Sequence, residues 1–251
     1  MRVVELWRHP VKSFQGERLD EAEIVADGLA SDRSWGVHDN ETGKVLTGRR
    51  EPKLLLASAA LGADGQPVIT LPDGTVTRGL GDDTDADLSA WLGRPVSLVA
   101  ATDVEPQRAE FFTDATDDAS APVEWTMPAD RFVDVMALLL LTTASLRAGA
   151  SHHPEGAWEV RRFRPNVLIE ADGDDWLEDA WAGREVRIGD VVVQGVMPCP
   201  RCTMVTRPQP GGLDRDLEMF KTLNREHGAN FGLWSSVVTP GTIRTGDQVE
   251  V

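Results

Sequence analysis

The sequence predicts a mainly β protein with peripheral helices (α+β), built as an N-terminal β domain over residues 1–115 and a second strand-rich domain over 116–251. Three observations predict it. The first hundred residues carry short apolar runs at roughly 10-residue spacing, the rhythm of a sheet or barrel rather than of βαβ units. Between residues 102 and 130 the composition shifts to Asp, Ala, Pro and Thr, and 113–120 has almost no apolar side chain, which marks an exposed connection. Beyond it the strand pattern resumes with few helical stretches.

Residues 1–7 read as a strand, followed by the loop His9-Pro10-Val11-Lys12-Ser13. Residues 19–27 and Ser34–His38 continue as strands, the latter meeting Val45–Thr47 across the turn-rich Asn40-Glu41-Thr42-Gly43. Leu54–Leu61 and Val68–Leu71 follow, with Pro72-Asp73-Gly74 turning into Thr75–Arg78, and Asp87–Leu92 is a short helix closed by Gly93. In the second half, Ala137–Leu141 suits a buried strand and Thr142-Thr143 the N-cap of a helix over Ala144–Ala150. Phe163–Ile169 and Val186–Met197 read as strands, the latter folded at Gly189-Asp190. Leu217, Phe220 and Leu223 give Asp216–His227 helical spacing, and Gly228 is a suitable C′ residue. Phe231–Val238 and Thr242–Val251 close the chain as strands joined by Thr239-Pro240-Gly241.

With 25 Lys and Arg against 41 Asp and Glu, the formal net charge is −16. Long-range repulsion then disfavours nucleic acid or an anionic membrane as partner. The longest uninterrupted apolar run, Met136 to Leu141, is far short of a membrane span, and the N-terminus does not read as a signal peptide. Two cysteines in 251 residues exclude a disulfide scaffold and fit a reducing cytoplasm.

Both cysteines lie in Pro198-Cys199-Pro200-Arg201-Cys202, the sharpest motif in the chain. Four readings compete. A structural zinc site lacks the further cysteines or paired histidines it needs. A dithiol redox pair usually opens a helix, whereas the β-branched run Thr203-Met204-Val205-Thr206 suits a strand. Two cysteines packed as small hydrophobes are the third reading. The leading one is a single thiolate beside Arg201, acting as a soft metal ligand or a nucleophile, with the guanidinium favouring the charged sulfur.

Basic and hydroxyl residues also recur in the loops of this acidic chain: Lys12-Ser13, Arg33, Arg49-Arg50, Arg164-Pro165-Asn166 and Arg201. Taken singly, each is a solvated surface group. Gathered by folding, they would form a positive pocket for a small anion such as a phosphate, joined by Thr142-Thr143 at a helix N-terminus. His152-His153 lacks a metalloprotease glutamate, and the acidic runs Asp82–Asp87 and Asp172–Asp175 read as solvated loops. No P-loop, dinucleotide fingerprint or nucleophile elbow is present.

The chain resembles the MOSC (molybdenum cofactor sulfurase C-terminal) domain proteins preceded by an N-terminal β-barrel-like domain. In the first half the likeness rests on residues 9–17, on Gly28-Leu29-Ala30-Ser31-Asp32-Arg33-Ser34-Trp35 and on residues 46–54. In the second half it rests on Arg162-Phe163-Arg164-Pro165-Asn166-Val167, Glu178-Asp179-Ala180-Trp181, Ile188-Gly189-Asp190, the double-cysteine motif, Phe231-Gly232-Leu233-Trp234 and residues 240–247. The resemblance implies a MOSC β-barrel in the second half and a bound molybdenum cofactor (Mo-molybdopterin), a pterin dithiolene with a terminal phosphate. It implies that Cys202 ligates molybdenum as the catalytic sulfur. The implied cofactor contacts are Lys12, Ser13, Arg33, Thr142, Thr143, Ser145, Arg164, Asn166, Pro200, Arg201 and Trp234, the last standing where relatives often have Tyr. Some members reduce N-hydroxylated small molecules such as amidoximes. Two cysteines are too few for an iron–sulfur cluster, so electrons would come from a separate flavin or iron–sulfur (ferredoxin-like) donor protein. The alternative is a sulfur or cofactor carrier holding a persulfide on Cys202. Because both halves contribute implied cofactor contacts, the pocket is expected between the two domains.

Overall fold

The computed structural model describes residues 1–104, 108–112, 120–127 and 130–251. Apart from Ser120, the polar run 113–120 lies outside the described residues, as does the expected boundary between 115 and 116. The architecture is mainly β with peripheral helices, as the sequence predicts.

The principal sheet has eight strands. In spatial order they are Val249–Glu250, Glu185–Ile188, Val191–Pro200, Asn230–Thr239, Leu138–Thr142, Val167–Glu170, Arg2–Arg8 and Glu17–Leu19. Its central strands are apolar on both sides because both faces are covered, so their side chains alternate between two cores. Leu138, Leu140, Val167 and Ile169 join Val3, Leu6, Ile24 and Val193 on one face. Leu141 and Leu168 turn to the other, against Phe163, Phe220, Leu223 and Phe231. The helix Leu217–His227 covers that second face, capped by Asp216 Oδ1 accepting from the Met219 amide at 3.1 Å and closed by Gly228 at φ 56°.

The two halves of the sequence are interleaved in this sheet. Arg2–Arg8 runs antiparallel to Val167–Glu170, and Glu21–Val25 pairs with Gly241–Arg244 in a neighbouring three-stranded sheet. The remainder of the first half forms its own core, in which Val37, Leu54, Ile69, Leu88 and Leu98 pack together. Around it lie two three-stranded sheets, one of them Trp35–Asp39 between Lys44–Val45 and Val96–Ala100, the other the meander Ser58–Leu61, Pro67–Thr70 and Val76–Arg78.

Several local expectations are corrected. Pro52–Leu56 is a 3₁₀ turn, with Pro52 presetting φ, so the strand expected over Leu54–Leu61 is only Ser58–Leu61. The helix expected from Asp87 starts at Asp82, because Asp82, Asp83 and Asp85 in its first turn complement the helix dipole. The strand expected over Phe163–Ile169 begins at Val167, after a helical turn Val160–Phe163 that Pro165 cannot continue. Thr203–Thr206 is a 3₁₀ turn rather than strand, fixed by Thr206 Oγ1 donating to the Thr203 carbonyl at 2.8 Å. Within the exposed connection, Arg108–Phe112 and Pro122–Thr126 form an antiparallel pair. Among the described residues no helix is long and apolar enough to cross a membrane.

Candidate functional site

A cleft of about 830 Å³, counting its open mouth, lies where first-half loops meet the second-half sheet. Its wall is shaped by strained backbone. Ser13, Arg33 and Arg164 have φ of 68°, 51° and 55°, three of the six described non-glycine residues in the left-handed region. Strain of this kind persists only where surrounding contacts dictate it, and it concentrates at functional sites.

The contacts that dictate it here converge on Asp32, which is fully buried. Its carboxylate accepts from the His9 amide at 2.7 Å, from Asn166 Nδ2 at 3.0 Å and from the Arg33 guanidinium. Asn166 Oδ1 accepts from the Leu139 amide at 3.1 Å, so this side chain stitches the first loop to the central sheet. Arg33 Nη2 donates to the Arg164 carbonyl at 3.1 Å, and Arg164 Nη1 to the Phe14 carbonyl at 2.5 Å. Burial, and then the neighbouring Arg33, lower the Arg164 pKa to about 9. Ser13 Oγ accepts from the Gly48 amide at 2.8 Å, which places the following Arg49 on the wall.

Cys202 sits at the centre of this arrangement, partly exposed. Arg49 Nε donates to its sulfur at 3.3 Å, and Arg49 Nη2 to Asp134 Oδ2 at 2.5 Å. The other oxygen of Asp134 accepts from Lys12 Nζ at 2.7 Å, which also donates to the Phe132 carbonyl at 2.8 Å. Burial opposes ionisation of Asp134, but Arg49 and Lys12 outweigh it and hold the carboxyl well below the usual range. Burial likewise lowers the Lys12 pKa, against the pull of Asp134. Asp134 is the one carboxylate among the described lining residues, against the cations Lys12, Arg33, Arg49, Arg162, Arg164 and Arg201. In a chain of charge −16 this is a local positive pocket, as the loop cations suggested.

Nine of the residues expected at the site line it together: Lys12, Ser13, Arg33, Arg164, Asn166, Pro200, Arg201, Cys202 and Trp234. Thr142, Thr143 and Ser145 are not on the cleft wall. Thr142 caps its helix by accepting from the Ser145 amide at 3.1 Å, and both hydroxyls donate to Glu178 Oε2 at 2.6 Å. Thr143 Oγ1 donates to the Ala171 carbonyl at 3.1 Å. Burial pushes the Glu178 carboxyl pKa up. The expectation that Arg201 attends Cys202 is also corrected. Arg201 Nη1 donates to the sulfur of buried Cys199 at 3.2 Å and Nη2 to the Phe163 carbonyl at 2.8 Å. The guanidinium on Cys202 belongs to Arg49, 153 positions earlier. Burial raises the Cys199 thiol.

Sequence reasoning passed over Asp134, and it quoted Arg162 only as part of the segment Arg162–Val167 without giving it a place at the site. Arg162 donates to the carbonyls of Val205 and Arg207, which places the turn after Cys202. An acid and an arginine flanking apolar segments offered no signal of these long-range contacts. Among the described residues no three His, Cys, Asp or Glu converge to hold a bare metal ion. These side chains alone therefore offer no bare-ion site, and Cys202 is the one thiol partly open to the cleft. A positive wall beside a partly exposed thiol suits a metal carried on an anionic, sulfur-donating organic group.

Two family models match the chain. Residues 1–116 match the MOSC N-terminal beta barrel domain and residues 129–250 the MOSC domain. The human protein named mitochondrial amidoxime-reducing component 1 is 31% identical across 98% of this chain and 82% of its own length. Human mitochondrial amidoxime reducing component 2 is 30% identical over the same shares. The zebrafish (Danio rerio) molybdenum cofactor sulfurase is 27% identical across 81% of this chain and 28% of its own. With matches running through both halves, the chain belongs to the MOSC family, in the form that carries the MOSC N-terminal beta barrel domain.

Proposed function

We propose that this protein is a molybdenum-cofactor-dependent reductase of N-hydroxylated small molecules. The observation that carries the proposal is Cys202, a partly exposed sulfur held by Arg49 in a cleft that also gathers Lys12, Arg33, Arg162, Arg164 and Arg201. The names of the relatives supply the reaction class, amidoxime reduction. When bound, the cofactor supplies two electrons, so that R₂N–OH + 2 e⁻ + 2 H⁺ gives R₂NH + H₂O.

The chain's own residues bind and orient. Lys12, Arg33 and Arg164 attract the anionic part of the cofactor, while Ser13, Pro200, Arg201 and Trp234 shape the wall around it. Arg49 aims the Cys202 sulfur, and Asp134 holds Arg49 and Lys12 in place. Asn166 acts through Asp32 and the Leu139 amide. Thr142, Thr143 and Ser145 support the adjoining helix start and Glu178. Electrons come from a separate flavin or iron–sulfur protein, since two cysteines cannot hold a cluster. Two free thiols suit the cytoplasm.

A second reading rests on the accessible Cys202 sulfur and the sulfurase relative: a persulfide carrier that delivers sulfur to cofactor enzymes. Metal analysis of protein from a cofactor-producing host separates the two. About one Mo per chain, lost in Cys202→Ser, with reduction of benzamidoxime by a reduced viologen dye, supports the reductase. Cyanide-releasable sulfur without Mo supports the carrier and overturns the reductase.

A further inference from the structure

Two carboxylates pair with cations of the cleft wall, and they are held in different ways. Asp32 is fully buried and accepts from the His9 amide, from Asn166 and from the Arg33 guanidinium, so groups fixed by the fold dictate where it points. Asp134 lines the cleft with its side chain 30% exposed. Its carboxylate is held by the ends of two long cationic side chains, Lys12 Nζ at 2.7 Å and Arg49 Nη2 at 2.5 Å.

The backbone that carries Asp134 is anchored without that carboxylate. Lys12 Nζ also donates to the Phe132 carbonyl at 2.8 Å, and the Phe132 amide donates to the Arg33 carbonyl at 2.8 Å. The Trp125 indole donates to the Asp134 carbonyl at 3.2 Å. Turning the carboxylate out to solvent therefore takes a change of side-chain rotamer, with the segment left in place.

An ionised carboxylate in this position is an anion already seated on the donors that an arriving anion needs. A monoanion such as acetate offers Lys12 and Arg49 no more than Asp134 does, and the group on the same chain has the advantage of effective concentration. A phosphate group brings about −1.5 to −2 charge and three strong acceptor oxygens, enough to take over both cations. Opposing the wrong ligand with like charge is a general route to selectivity.

We propose that Asp134 is an internal competitor for anions: it keeps Lys12 and Arg49 from weak monoanions and yields them to a phosphate-class polyanion. The proposal rests on the reading of the cleft as the seat of an anionic cofactor and adds the device that keeps other anions out of it. Arg49 Nε also donates to the Cys202 sulfur at 3.3 Å, so the same carboxylate shields the guanidinium that orients this sulfur.

The test titrates the full chain, made in a host without molybdenum cofactor, with inorganic pyrophosphate and with acetate by calorimetry, in wild type and Asp134→Asn. Asparagine keeps the side-chain shape and removes its charge. Both affinities are expected to rise about tenfold in the variant, a modest share of what a like-charge contact costs. A carboxylate that only positions Lys12 and Arg49 gives the opposite sign, because its loss slackens both. Unchanged or weaker binding in Asp134→Asn overturns the proposal, as does the absence of pyrophosphate binding in both proteins, whereas binding seen only in the variant supports it. In wild type, the Asp134 carboxyl carbon resonance is followed by NMR through the pyrophosphate titration, a readout independent of how the variant folds. A saturable shift supports release of the carboxylate, and saturated binding without a shift overturns it. None of these outcomes involves molybdenum, so the reductase reading stands or falls separately on Mo content and benzamidoxime reduction.

Discussion

Replacing Arg162 by Met tests how the turn that follows Cys202 is held. The Arg162 side chain is buried and donates four hydrogen bonds, all to backbone carbonyls: Ala157 at 3.1 Å, Val205 at 3.2 Å, Arg207 at 3.1 Å and Asp214 at 2.7 Å. Hydrogen bonds from a charged group contribute about 1.5–3 kcal/mol each, so their simple sum is roughly 6–12 kcal/mol. Methionine fills similar volume and recovers the several kcal/mol spent desolvating a guanidinium, leaving a net loss of about 3–5 kcal/mol. That is a large share of the ~5–15 kcal/mol by which domains are stable. Urea denaturation of the cofactor-free protein measures it, with hydrogen exchange of the Thr203–Arg207 amides as the local readout. Arg162→Lys keeps the charge but cannot fork to four carbonyls, so most of the loss is expected to remain. A loss under about 1 kcal/mol for Arg162→Met, with unaltered exchange in that turn, would refute this account.

Thr142→Ala is expected to cost about 1–2 kcal/mol, a lost cap, with Mo content unchanged; depleted Mo at intact stability would put this hydroxyl at the cofactor. In native cofactor-free protein, iodoacetamide is expected to modify Cys202 and leave buried Cys199 until denaturant is added, read by peptide mass. Burial works against protonated His227, but its hydrogen bonds to Asp179 at 2.5 Å and to the Asn230 carbonyl at 2.8 Å, with the nearby carboxylate charge, together outweigh it and raise the pKa. A folded pKa above the unfolded one gives stability that is full below about pH 6.5 and lost as pH climbs through the raised value. Thermal unfolding of His227→Gln should therefore show a flatter pH dependence across that window.

What the chain discloses on its own divides along a physical line. Elements whose signal is local were legible: the apolar run into Leu141, the Thr142 cap, the fold at Gly189-Asp190 and the helix ended by Gly228. Most of the cationic wall was legible as well, because cations recurring in the loops of an acidic chain are conspicuous as a set, although each alone reads as a solvated surface group. Destinations of side chains were not. Arg201 lies next to Cys202 in sequence, yet strand geometry turns it to Cys199 and Phe163, while Arg49 arrives from a distant loop. Thr142-Thr143 looked like anion donors at a helix start, with Ser145 added by the resemblance, and nothing nearby announced that Glu178 would engage the Thr142 and Ser145 hydroxyls. The left-handed Arg33 and Arg164 are likewise products of tertiary contacts, since arginine has no intrinsic taste for positive φ.

The pairing of Arg2–Arg8 with Val167–Glu170 has a consequence for biosynthesis. The Arg2 side chain meets Glu170, 168 positions later, so during translation the first strand emerges long before its partner exists. Until then an apolar edge bearing Val3 and Leu6 is unprotected, which makes the nascent chain a natural client for chaperones. A gene split near residue 120 would not yield two self-sufficient products. The C-terminal fragment would present the bare backbone of Val167–Glu170, and would be expected to precipitate unless the N-terminal piece were supplied in trans.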